Sequence, residues 1–209
     1  MAETNKSKMI LDALQKLMEE KDIQHISVSE IAEKAGIGKG SIYYYYPSKD
    51  AILDALIRRS YEQPLQTAKT LAAKTNVSSY TRMAMLFQAC RSSSAVFLNN
   101  DRLSDASAQS LALLHQKHLN YLISELKPAL TEIISQGISS REIHFEYPDS
   151  LAEITLIVLA VKLDNSIVPS TPEDTEQTLK GLIALLEKGT ELPAGTLGYL
   201  SITIKEPGQ

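Results

Sequence analysis

Tryptophan is absent from this 209-residue chain, cysteine occurs once, phenylalanine three times and glycine nine times. The lone Cys90 excludes an intramolecular disulfide and fits a reducing cytoplasm, which is the expected compartment. No apolar run approaches the ~20 residues a membrane-spanning helix needs; the longest lies around Leu156–Val161. The first residues, MAETNKSKMILDALQ, lack the apolar core of a signal peptide. Scarce glycine with ordinary apolar content points to a mainly helical protein. P-loop, Rossmann, G-x-S-x-G and H-E-x-x-H patterns are all missing. An enzyme therefore has no catalytic constellation to rest on, and no cofactor or metal is expected.

Positive charge is not in excess either, since the formal net charge is −4. Its distribution is uneven. Residues 1–59 hold nine Lys/Arg against nine Asp/Glu, and residues 60–209 hold twelve against sixteen. A neutral first part can still bind nucleic acid if its cations face the phosphates.

What is present is concentrated in residues 27–50, SVSEIAEKAGIGKGSIYYYYPSKD. Ser27 and Glu30 form an S-x-x-E capping box, with Ile26 and Ile31 at its staple positions. Val28, Ile31, Ala32 and Ala35 share a helical face, and Gly36 stops that helix. A second short helix follows, anchored by Ile42 and ended by Pro47. Ser48 caps a third. Two short helices joined by a glycine-containing turn are the helix-turn-helix of DNA readers.

In that geometry Lys39, Gly40 and Ser41 are the candidates for base-proximal contact. Ser27, Tyr43, Tyr44, Tyr45 and Lys49 are the candidates for phosphate contact. Four consecutive tyrosines cannot all be buried on one helix, and exposed aromatic clusters mark contact surfaces. Tyr46, one turn after Ile42, is the expected core member.

The block resembles the DNA-binding domain of TetR/AcrR-type transcriptional regulators. The shared residues are Ser27, Val28, Ile31, Ala32, Ala35, Gly36, Lys39, Gly40, Tyr43, Tyr45, Ser48 and Lys49, with Ser41, Ile42, Tyr46 and Asp50 as conservative variants. Gly38 departs from the pattern and removes a side-chain cap. The resemblance covers about the first quarter of the chain. It implies an all-α protein with a three-helix reader over residues 1–50 and a helical effector-binding and dimerisation domain over 51–209. It also implies a homodimeric repressor on a palindromic operator, released by a small organic effector. An activator, or a regulator working through a protein partner, stays open.

Beyond the block, a stripe of Ile10, Leu11, Leu14, Leu17 and Met18 marks a first helix over about 6–20. A long helix from Ser48 is expected to reach about Lys74, with Pro64 kinking or ending it. Further helices are expected over about 78–91, 95–99 and 104–125, the last broken or bent at Pro128, then over 149–167 and 172–188, stopping at Gly189. Met83, Phe87, Cys90, Phe97, His115, His118 and Tyr121 are candidates to line an effector pocket, although each taken singly reads as core. The last two helices either complete the core or pair with a second chain. The second reading is preferred, with Leu151, Ile154, Val158, Leu179, Leu182 and Leu186 at the interface. Residues 196–205 alternate enough for a short strand or an ordered tail.

Overall fold

The computed structural model describes residues 5–87, 107–163 and 169–200, apart from the side chains of Pro64, Leu111 and Leu163. Every regular element among them is helical. The described residues divide into two compact units, one within Met1–Glu62 and Ser94–His118, the other within Gln63–Ser93 and Leu119–Gln209. The expected division at residue 50 falls just inside a helix. The first unit runs on to Glu62 because Ile52, Leu53, Leu56 and Ile57 of that helix are buried.

The first unit contains α1 (Asn5–Met18), a 3-10 turn (Ile23–His25), α2 (Val28–Lys34), α3 (Lys39–Tyr45) and α4 (Lys49–Ser60). Its core holds Ile10, Leu11, Leu14 and Leu17 of the predicted α1 stripe, with Met18 half-buried, together with Ile31, Ile42, Ile52 and Leu56. Each such side chain contributes about 1.5–3 kcal/mol on full burial. On the surface Arg59 ties α4 to α1 through Asp12 (2.6 Å) and Gln15 (2.9 Å).

Of the kink or the end expected at Pro64, the helix ends and another starts, a few residues before the proline. α4 ends at Ser60, Tyr61 leaves helical geometry, and α5 (Glu62–Ala72) starts again with Pro64 in its first turn, where proline costs no hydrogen bond. Tyr61 is 1% exposed, and its hydroxyl lies 2.8 Å from Nε2 of His118.

α7 (Ala108–Ser139) is one continuous helix that contains Pro128, so of the expected break or bend the break does not occur. Pro128 and Ser124, whose carbonyl loses its intrahelical donor, are both exposed, which leaves that carbonyl within reach of water. The first turns of α7 belong to the first unit. Asp22 accepts from the amide of Ser107 (2.6 Å) and the hydroxyl of Ser110 (2.5 Å), and Lys117 bridges Asp50 (3.0 Å) and Asp54 (2.8 Å).

The second unit holds most of α5, α6 (residues 79–87), the remainder of α7, α8 (Pro148–Leu163), α9 (Pro172–Gly189) and a 3-10 turn (Gly198–Leu200). Its core includes Leu126, Leu130, Ile133 and Ile134 of α7, Leu156 of α8 and Leu179 of α9. Gly137 lets α7 pass close to its neighbours: a Cβ there would stand 2.7 Å from both Ile143 Cδ1 and Ser79 Oγ.

Arg82 is buried and donates to the Ala72 carbonyl (3.3 Å), to Ser79 Oγ (3.2 Å) and to Gln136. Gln136 in turn donates to Glu132 (2.7 Å). α9 stops at Gly189 as expected, but not through a left-handed glycine. Gly189 is the last helical residue, and the left-handed position is Glu191 (φ 58°), with Leu192 N–H reaching back to Glu187 O at 2.8 Å. Buried Glu187 then pins the following segment through the amides of Gly195 (3.0 Å) and Leu197 (2.8 Å). Of the short strand or ordered tail expected there, the described part forms no strand and takes the 3-10 turn; residues 201–205 lie outside the described residues.

Candidate nucleic-acid interface

The reader is built from local signals. The Ser27–Glu30 box closes at both ends: Ser27 N–H donates to Glu30 Oε2 (2.7 Å), and Glu30 N–H donates to Ser27 Oγ (3.2 Å). Glu30 also pairs with Lys21. The Lys21 ammonium first, and the Ser27 amide after it, hold the Glu30 carboxyl down to about 2. Gly36 takes the left-handed conformation (φ 68°), and Ile37 N–H bonds to Ala32 O at 3.0 Å. The chain thus turns sharply from α2 into α3.

α3 hangs on Ile42, which is fully buried. Gly38 is its N-cap and supplies no side-chain bond, as its departure from the family pattern implies. Gly38, Lys39 and Gly40 are exposed and Ser41 is half-buried. A Cβ at Gly40 would meet nothing within 4 Å, so this edge of the helix is open to a close approach from outside. Among the described residues no carboxylate pairs with Lys39.

The tyrosine run sorts itself. Tyr43 and Tyr44 point outward, 50% and 84% exposed, while Tyr45 and Tyr46 are half-buried. Tyr44 and Tyr45 meet edge to face at 5.1 Å. Tyr46 is less enclosed than expected. It caps α3 in extended geometry, as a residue before proline must, and its hydroxyl meets Ser7 Oγ at 2.6 Å.

Lys49 is redirected. Its ammonium sits 2.8 Å from Ile23 O, 2.9 Å from Ile26 O and 3.4 Å from Gln24 O. It therefore holds three backbone carbonyls of its own domain and does not stand free beside the α4 amides.

Of the side chains expected at a dimer interface, Leu151, Leu179, Leu182 and Leu186 are buried within the second unit of the single chain. Among the described residues, the large apolar side chains exposed on α8 and α9 are Ile154 (55%), Ile157 (43%) and Leu185 (72%), and Val158 is half-buried. Of the pocket candidates, Met83 and Phe87 are buried and Tyr121 half-buried in the second unit. His115 and His118 belong to the first unit, and His118 is taken up by Tyr61. Cys90 and Phe97 lie outside the described residues. The second unit has a cavity of about 20 Å³ beside Met83, Ile143, Leu151 and Leu186, which is room for about one water. Apart from Met83, these lining residues were not among the pocket candidates, because their convergence depends on the turn after α7. No described helix is long and apolar enough to cross a membrane.

Comparison with known proteins bears on the same segment. Residues 10–56 match the family described as "Bacterial regulatory proteins, tetR family". The HTH-type transcriptional regulator EthR of Mycobacterium tuberculosis is 38% identical over 63 residues, 30% of this chain and 29% of EthR. The chain spans only 13% to 29% of the length of the first curated relatives it matches. Over nearly the whole chain the fold is similar to that of SmeT, the repressor of the Stenotrophomonas maltophilia multidrug efflux pump SmeDEF. The TM-score is 0.62 at 15% identity, covering 97% of each chain. RolR in complex with the ligand resorcinol gives a TM-score of 0.56 at 17% identity, covering 97% of this chain and 96% of RolR. That family match falls on the helix-turn-helix segment, anchored by Ile42 and turned at Gly36.

Proposed function

We propose that this protein is a homodimeric transcriptional repressor that binds a two-fold operator and is released by a small organic effector. The observation that carries the reading is α3: a two-turn helix anchored by one buried isoleucine, with Lys39, Gly40, Tyr43 and Tyr44 all turned to solvent. A helix laid out in this way has its information on the outside. In a major groove, Lys39 and Ser41 reach base edges past the open backbone of Gly40. Ser27, Tyr43, Tyr44 and Tyr45 take phosphates and fix the register.

Two copies are needed for two half-sites. The support for a dimer is the exposure of Ile154 and Ile157 on α8 and of Leu185 on α9, which packs against α8; exposed apolar side chains suit a self-complementary interface. Release by an effector follows by analogy: SmeT is a repressor and RolR holds resorcinol, and both are similar in fold to this chain. The effector must bind the DNA-free state more tightly for release to follow.

The test is a footprinting titration of the purified protein on DNA flanking its own gene, repeated across salt. A protected two-fold site with a steep salt slope is the expected result. A purified, effector-free protein that protects no sequence at low salt overturns the reading.

A further inference from the structure

Lysine at the first position of a helix is poorly placed, because the helix dipole disfavours a cation there. Lys49 occupies that position in α4 and nevertheless turns away from solvent. Its ammonium has three protons, and three carbonyls converge on it: Ile23, Gln24 and Ile26. These are carbonyls of the 3-10 turn and its C-cap. Among the described residues no carboxylate competes for the charge.

The consequence lies in one peptide plane. The peptide between Ile26 and Ser27 offers its C=O to Lys49 at 2.9 Å and its N–H to Glu30 Oε2 at 2.7 Å. It is gripped from both sides, by a cation on α4 and by an anion on α2. Ser27 is the N-cap of α2, and α2 turns directly into α3 at Gly36. The orientation of that plane therefore sets where α2 begins relative to α4.

We propose that Lys49 is a positioning residue for DNA recognition. Its ammonium clamps the Ile23–Ile26 turn and holds the α2–α3 pair in register with α4, and it does not contact a phosphate. This rests on the reading of α3 as the DNA reader. It also reassigns a charge that the motif alone would place on the DNA backbone.

The experiment uses the full chain and its Lys49→Met variant on the footprinted operator, with Lys39→Ala as the comparison. Two quantities are read: the slope of log K against log salt, and amide hydrogen exchange at Ile26, Ser27 and Glu30 in the free protein. Lys49→Met is expected to weaken binding on the order of tenfold at unchanged salt slope, and to speed exchange at those amides. A slope reduced by about one with exchange unchanged would mean a phosphate contact and overturns the proposal. If Lys49→Met does not fold, Lys49→Gln is used, with the same pattern expected at smaller amplitude and the same contrary result. A wild-type chain that protects no DNA overturns the function and the positioning role together. Unchanged exchange in the variant overturns the clamp alone and leaves the function standing.

Discussion

The carboxylate of Asp22 accepts a 2.5 Å hydrogen bond from the hydroxyl of Ser110, although the two residues are 88 positions apart in the chain. The same carboxylate accepts from the amides of Gln24 (2.8 Å) and Ser107 (2.6 Å). One side chain thus starts the 3-10 turn ahead of α2 and also satisfies an amide at the start of α7. These donors, the Ser110 hydroxyl first, hold the Asp22 carboxyl well below the usual carboxylate range.

A depressed carboxylate contributes stability above its unfolded pKa of ~3.9 and loses that contribution as pH falls toward its folded value. Thermal melts of the wild type are therefore expected to fall steeply below about pH 4. Ser110→Ala removes the strongest donor and should flatten that acid limb. Asp22→Asn should lower the melting temperature at neutral pH and remove the Asp22 share of the pH dependence altogether. An acid limb equally steep in Asp22→Asn and wild type would show that other carboxylates set it.

Lys39 is exposed and unpaired by any described carboxylate, at the start of a helix held by Ile42. Lys39→Ala is expected to leave the melting temperature unchanged and to weaken operator binding by about 1–3 kcal/mol, with relaxed preference at the contacted base pair. Binding-site selection with both proteins reads the preference directly. Unchanged affinity and unchanged preference would put the base contacts elsewhere on α3.

These local features were legible in the sequence because their causes are local. The Ser27–Glu30 box, the turn at Gly36, the Ser48 cap and the Ile42 anchor all depend on residues within about a helical turn. Long-range partners were not legible. Nothing in the spacing of Lys49 announces three carbonyls more than twenty residues upstream, and nothing near Asp22 announces Ser110. Nor does periodicity say which apolar face of a helix turns inward. α8 is apolar on all sides, so Leu151 and Ile154 looked equivalent, yet one is 8% exposed and the other 55%. Pro128 shows the converse, a local breaker overridden by the packing of Leu126, Leu130 and Ile133 on the opposite side of α7.

Gly137 tests how tightly the second unit is packed. In an open helix Gly→Ala stabilises by about 1 kcal/mol. Here the new methyl would sit 2.7 Å from Ile143 Cδ1 and Ser79 Oγ, and Ser79 is itself tied to Glu142 through its amide and to Arg82 through its hydroxyl. Overpacking of this kind costs about 1–3 kcal/mol, so Gly137→Ala is expected to lower the melting temperature despite the better helix former. A raised melting temperature would mean that the Ile143 and Ser79 side chains yield freely.

The dimer reading separates two leucines of α9 that lie three positions apart. Leu185 is 72% exposed and Leu182 is 8% exposed. Leu185→Glu places a charge at this exposed apolar position without disturbing the protomer core. It should give folded monomers by light scattering, with far-UV circular dichroism unchanged and operator affinity reduced through loss of the paired half-site contact. Leu182→Glu buries an unpaired carboxylate among core side chains and should destabilise the unit itself, by several kcal/mol. The contrast carries the argument. Monomers from the outer leucine with helicity intact locate the interface at the exposed face of α9, whereas a Leu185→Glu protein that remains dimeric at micromolar concentration removes that face from the interface.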